Sequence, residues 1–167
     1  MIQKKICMIG AFAVGKTSLV SRAVLGSFSD KYLTTVGVKI DKLSLTLNGT
    51  DLNLIVWDLH GEDEFQTIRH SYLRGASGYF LVIDGTRQST LDTAISLRER
   101  CAQSVGNVPF IAVLNKSDLR DQWEISSDQL DELRESGWEF IESSAKSSQG
   151  VDRAFESLAS QIVGKEH

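Results

Sequence analysis

Short, uninterrupted apolar runs alternate with helical patterns along most of this chain. The runs at 6–9, 79–83, 110–114 and 138–141 read as parallel strands buried on both faces. Between them, apolar residues recur at helical spacing. The clearest stripe comes last, in Val151, Ala154, Phe155, Leu158, Ala159 and Ile162. Leu19, Val20, Ala23 and Val24 predict a helix after the first strand. Leu91, Ala94, Ile95, Arg98 and Ala102 predict another, with Arg98 as the one polar intruder. Leu130 and Leu133 predict a shorter helix, with Ser126 or Ser127 as N-cap. One segment breaks the alternation: Leu43, Leu45 and Leu47 alternate with polar residues, Asn48-Gly49 follows, and Leu52, Leu54 and Val56 alternate again. Asn-Gly between two such runs predicts a hairpin. The expected fold is an α/β three-layer sandwich, mostly parallel, with one antiparallel edge strand. Ligands of such sheets bind at the carboxyl ends of the strands.

Composition narrows the class. A chain of 167 residues, 41% hydrophobic and 24% charged, is expected to form one domain, 1–167, with a core that needs no staples. A net charge of −4 argues against a general nucleic-acid partner. Cys7 and Cys101 match no metal or redox spacing and fit a reducing, intracellular setting, with Cys7 buried as a small hydrophobe. No signal peptide or transmembrane run is expected. No lipid anchor is expected either, because position 2 is Ile and the chain ends Gly164-Lys165-Glu166-His167. The expected state is a cytoplasmic monomer, with protein partners able to recruit it to a membrane.

The candidate chemistry follows the strand ends. Residues 10–17, Gly-Ala-Phe-Ala-Val-Gly-Lys-Thr, form a phosphate-binding loop between the first strand and a helix. Backbone N–H groups of such a loop converge on one anion. Lys16 supplies charge to the β- and γ-phosphates, and the Thr17 hydroxyl suits Mg²⁺. Asp58, closing the hairpin's second strand, can hold the same ion, and Gly61 leaves its N–H free to approach a γ-phosphate. Asn115-Lys116-Ser117-Asp118 follows the strand at 110–114. A carboxylate there accepts guanine's adjacent N1–H and N2–H₂ donors, which adenine lacks, so Asp118 selects guanine. Asn115 can bond the base or tie the loop down, and the Lys116 stem can lie on the ring face. Ser144-Ala145-Lys146 can offer backbone N–H to the guanine O6.

These motifs, in this order, resemble a Ras-like small GTPase, nearest the Rab branch, over nearly the whole chain. Thr34-Thr35-Val36-Gly37-Val38 resembles switch I of Rab proteins. Trp57-Asp58, Phe65-Gln66-Thr67-Ile68 and Ser71-Tyr72-Leu73-Arg74-Gly75 resemble switch II and its helix. The resemblance implies a P-loop NTPase G domain with a six-stranded sheet of order 2-3-1-4-5-6. It implies GTP or GDP bound with Mg²⁺ by Ala13, Val14, Gly15, Lys16, Thr17, Ser18, Phe28, Thr35, Gly61, Asn115, Lys116, Asp118, Ser144, Ala145 and Lys146. Phe28 would pack edge-on against guanine, and the metal would sit on Thr17, Thr35 and Asp58. Effectors, exchange factors and activating proteins would read both switches and the surface at Ile40, Trp57 and Tyr72.

The departures from the family share one pocket. Glu62 stands where the family has the glutamine that orients the attacking water. A carboxylate accepts a proton from water but cannot donate to the γ-phosphate, and it adds charge beside an anionic transition state. Phe12 replaces a small residue and crowds the space an arginine finger would enter. His60 replaces alanine and adds a titratable group. The expected function is a GTP-hydrolysing switch, slow without an activator, with Lys16, Gly61 and Glu62 as catalytic residues. The alternative is a nucleotide-dependent binding module with little or no hydrolysis, in which GTP rather than GDP would co-purify. An ATPase or nucleotide kinase is opposed by Asn115-Lys116-Ser117-Asp118.

Overall fold

The computed structural model describes residues 2–11, 13–24, 31–33, 38–59, 70–144 and 149–165. The chain runs β1 (Ile2–Gly10), α1 (Lys16–Val24), β2 (Lys31–Leu33), β3 (Val38–Leu47), β4 (Thr50–Leu59), α2 (His70–Leu73), β5 (Gly78–Asp84), α3 (Gln88–Val105), β6 (Phe110–Asn115), a 3₁₀ segment (Ser117–Gln122), α4 (Ser127–Glu135), β7 (Phe140–Glu142) and α5 (Val151–Lys165). One sheet has the order β2-β3-β4-β1-β5-β6-β7. Without the three-residue β2 this is the expected six-stranded order, parallel except for β3, which pairs antiparallel with β4. β2, which no apolar run announces, pairs along the outer side of β3, so the antiparallel strand is not the sheet's last. Three residues are too few to show a periodicity.

The hairpin forms where Asn48-Gly49 requires it. Leu47 pairs with Thr50 across a two-residue turn in which Asn48 (φ 49°) and Gly49 (φ 79°) are both left-handed. That is the geometry whose twist matches a right-twisted ribbon. Alternation within β1 then supplies two cores. Ile6 and Met8 face α1 and α5, whereas Cys7 and Ile9 face α2, α3 and α4. All six residues of the α5 stripe are buried, each side chain contributing roughly 1.5–3 kcal/mol where it is a full-sized aliphatic or aromatic.

Three expectations shift. The buried face of α3 is Thr90, Leu91, Ala94, Leu97 and Cys101. Ile95 is 39% exposed and Ala102 is exposed, because both lie roughly 100° round the helix from that stripe. Arg98 is half-buried and lies over the Phe110 ring, 4.4 Å from its centroid, so its apolar stem covers the core edge. The last strand starts at Phe140 rather than at 138. Trp138 precedes it, buried edge-on against Phe110 at 5.5 Å. At α4, Ser126 is the cap: its hydroxyl accepts from Gln129 N, and Gln129 Oε1 accepts from Ser126 N, a reciprocal capping box.

Candidate functional site

Five parallel strands end on one edge of the sheet, and the chemistry-bearing residues gather there. At the end of β1 the loop turns through Ala13 (φ 61°) and Gly15 (φ 102°) into α1. Gly15 is required twice over: its φ is left-handed, and a Cβ would run into the Asn115 side-chain amide. Lys16 is buried, and its Nζ donates to the carbonyls of Gly10 at 3.2 Å and Ala11 at 3.0 Å. A cation bracketed by the loop it belongs to, at the first turn of a helix, is arranged for an anion carrying several charges.

Thr17 donates its hydroxyl to Oδ2 of Asp58 at 2.6 Å. Asp58 is fully buried at the end of β4. A hydroxyl and a carboxylate this close, both hard oxygen donors, fit Mg²⁺ rather than a softer ion. Among the described residues, then, the donor set is compatible with the metal the resemblance implies.

The residues expected to bind the base are knitted to the phosphate loop. Asn115 is buried, donates from Nδ2 to the Val14 carbonyl at 2.9 Å, and accepts from the Ser143 hydroxyl at 3.4 Å. Its role of tying the loop down is therefore present. Asp118 is exposed, and its Oδ1 accepts from the buried Ser144 hydroxyl at 2.8 Å. Backbone bonds Ser117 N to Ser143 O, 2.9 Å, and Ser143 N to Leu114 O, 2.8 Å, hold the loops after β6 and β7 together. Lys116 is left-handed (φ 66°), and its carbonyl accepts from Trp123 Nε1 at 2.9 Å. The Trp123 indole occupies the space where a side chain at position 85 would be, since a Cβ on Gly85 would overlap it. The Arg120 guanidinium lies over the Trp123 ring, 4.5 Å from its centroid, and pairs with Glu142.

A further acid escaped the sequence reading. Asp84 ends β5 fully buried. Its Oδ1 accepts from Thr86 N at 2.9 Å and Thr86 Oγ1 at 2.7 Å, and its Oδ2 from Arg87 Nε at 3.0 Å and Lys116 Nζ at 2.8 Å. Burial pushes its carboxyl up, but the bonds from Lys116, Thr86 and Arg87 outweigh it and bring it down to about 2. Two signals pointed to it: a carboxylate closes an apolar run at the ligand edge, and Asp84-Gly85-Thr86 is an Asx-turn pattern. Cys7 and Cys101 are both free and buried, and burial is the main force pushing each thiol up to about 12, so neither is a nucleophile.

The three residues expected at the partner surface differ in exposure. Ile40 and Trp57 are register partners on β3 and β4, each half-buried. Tyr72 is buried beneath them, 6.2 Å from Trp57 edge-to-face, its hydroxyl donating to Trp57 O at 2.6 Å and Met8 O at 3.1 Å. Tyr72 thus braces this face rather than presenting itself, because its hydroxyl is satisfied by buried strand carbonyls. The Trp57 ring is covered by the Lys5 ammonium at 3.6 Å, which also donates to Arg74 O at 2.8 Å. Phe12, Phe28, Thr35, His60, Gly61, Glu62, Ala145 and Lys146 lie outside the described residues.

A phosphate loop and a hydroxyl–carboxylate pair at the strand ends, on this sheet order, fit a P-loop nucleotide-binding protein of the G-domain class. Residues 5–164 match the Ras family. The chain is 35% identical over 163 residues to Ras-related protein Rab-13 of Bos taurus, covering 96% of this chain and 80% of that protein. It is 36% identical over 160 residues to GTP-binding protein ypt2 of Schizosaccharomyces pombe, covering 95% and 80%. It is 37% identical over 163 residues to Ras-related protein Rab-1D of Dictyostelium discoideum, covering 96% and 80%. The chain belongs to the Ras family of small GTPases, in its Rab branch. It is a GTP-binding, GTP-hydrolysing switch that uses Mg²⁺ and works through regulators and effectors.

Proposed function

We propose that the chain works as one G domain, 1–167, whose switching-off step is slow without an activator. The observation that supports the site assignment is the bond from Asn115 to the Val14 carbonyl, which ties the loop after β6 to the phosphate loop. In this reading residues 13–18 cradle the phosphates, with Lys16 neutralising charge. Phe28, Asn115, Lys116, Asp118, Ser144, Ala145 and Lys146 enclose the base. Thr17, Thr35 and Asp58 hold Mg²⁺, which when bound offsets charge on the phosphate oxygens. Gly61 N–H meets the γ-phosphate, and Glu62 accepts a hydrogen bond from the attacking water. Water adds to the γ-phosphorus and the bond to the β-phosphate oxygen breaks, giving GDP and phosphate. Thr35 and Gly61 are then released, which is the signal.

The slow step follows from Glu62, Phe12 and His60 together. In this reading Glu62 adds negative charge where negative charge is already spread over the transferring group, and a bulky Phe at position 12 would leave less room than the small residue of the family. Single-turnover hydrolysis of pre-loaded GTP tests this. Glu62→Gln should raise the rate by roughly tenfold or more, the scale of one well-placed donor. A wild-type rate typical of activator-assisted GTPases, with no partner present, rules the slow reading out.

The partner reading is narrower than a triad. Ile40 and Trp57 form the presented face, with Tyr72 and Lys5 fixing Trp57 from below and beside. Partners reading this face would tell the two nucleotide states apart through the flanking switches. We place the chain in the cytoplasm as a monomer recruited by proteins; the two free, buried cysteines accord with a reducing compartment. No helix among the described residues is long and apolar enough to cross a membrane.

A further inference from the structure

Ala13 is not glycine, yet its φ is +61°, in a region that L side chains rarely adopt. Something must hold the loop there. The Ala13 carbonyl accepts from Nη2 of Arg87 at 2.9 Å, a contact between residues 74 apart in sequence. The same guanidinium donates from Nε to Oδ2 of Asp84 at 3.0 Å. Asp84 in turn takes Lys116 Nζ on that oxygen at 2.8 Å and Thr86 on the other. Three segments therefore meet through the Arg87–Asp84 pair: the phosphate loop at Ala13, the β5–α3 turn at 84–87, and the base loop at Lys116.

We propose that Arg87 is a positioning residue for nucleotide retention: it fixes the Ala13 peptide in the phosphate-binding conformation and, through Asp84, couples that conformation to Lys116 in the base loop. It touches no reacting atom. The Arg87–Asp84 pair is not the distinguishing feature, since Asp84 also takes Lys116 and Thr86, and the Arg87 end of the pair is 40% exposed. What sets it apart is the second bond, made at the same time, to a strained backbone carbonyl in the loop. Only a planar fork spans both acceptors. A lysine at 87 would present one point donor to either. The local fold supports this geometry. Thr90 Oγ1 donates to Arg87 O at 2.7 Å and Glu124 Oε1 accepts from Gln88 N at 2.8 Å, so the start of α3 is pinned on both sides of Arg87.

The inference rests on the nucleotide-site reading above. Wild type, Arg87→Ala and Arg87→Lys are each loaded with a fluorescent GDP in excess Mg²⁺ and chased with unlabelled GDP. Arg87→Ala should release about tenfold faster, the scale of one lost bond to a constrained carbonyl. Arg87→Lys should stay close to Arg87→Ala, and the β-phosphate resonance of bound GDP should move in both by phosphorus NMR. Release at the wild-type rate in Arg87→Ala, or full rescue by Arg87→Lys, overturns the proposal. A lower thermal midpoint with unchanged release marks a merely structural role and also overturns it. Failure of the wild type itself to retain GDP would sink the nucleotide-site reading instead, and is visible before any variant is compared.

Discussion

Asn115 Nδ2 donates to the carbonyl of Val14 at 2.9 Å, so a residue read as part of the guanine-selecting loop is also a strut of the phosphate loop 101 positions away. Both groups are buried, where a lost partner leaves a polar atom unsatisfied. A substitution at Asn115 therefore acts on the phosphate loop as well as on the loop after β6.

Asn115→Ala should accelerate GDP release by roughly tenfold to a hundredfold, from about 1–3 kcal/mol for the orphaned Val14 carbonyl. Stopped-flow release of a fluorescent GDP measures it. Equal release rates in variant and wild type would show that the strut does not bear on the nucleotide.

Asp118→Asn should trade guanine for xanthine. The carboxylate offers two acceptors to guanine's N1–H and N2–H₂, whereas the amide offers a donor suited to xanthine's 2-oxo group. GTP affinity should fall by at least about tenfold while XTP affinity rises, read by competition binding. Ser144→Ala should show a weaker loss with unchanged preference, since its hydroxyl donates to Asp118 and leaves the carboxylate itself in place.

Asp84 makes stability depend on acid. Its carboxyl sits at about 2 in the folded chain against an ordinary 3.8, lowered by Lys116, Thr86 and Arg87 against the opposing pull of burial. A depressed folded value means that the stabilisation is present above pH 4 and is lost as pH falls through 2. Its size at neutral pH is on the order of 2 kcal/mol. Asp84→Asn should lower the thermal midpoint at pH 6 and flatten the decline between pH 4 and pH 2. An acid limb identical to wild type would mean that the carboxylate's charge is not what the network uses.

Gly85→Ala should drive a methyl group into the Trp123 indole. The expected loss is about 1–3 kcal/mol by urea unfolding, the usual cost of overpacking. Trp123→Phe should relieve part of it in the double variant, because the five-membered ring over which the new methyl would sit is absent from Phe. Additive losses would disprove the complementarity of Gly85 and Trp123.

Local chemistry wrote much of this protein in its sequence. The turn at Asn48-Gly49, the α5 stripe from Val151 to Ile162 and the loop at residues 10–17 depend on neighbours a few residues apart, so they were readable without coordinates. The strand-end carboxylate Asp58 and the Asn115–Asp118 loop were readable for the same reason: each motif is contiguous. Tertiary structure decided the rest. Which face of α3 is buried, that Tyr72 lies under Trp57, that Trp123 fills the place of a side chain at 85, and that Asp84 gathers Thr86, Arg87 and Lys116 all rest on contacts across the fold. Periodicity places an apolar residue within its own element, but the packing partner decides whether it is covered. A hydrogen bond between residues as far apart as Ala13 and Arg87 has no local sequence signal, because its geometry exists only once the strands stand side by side.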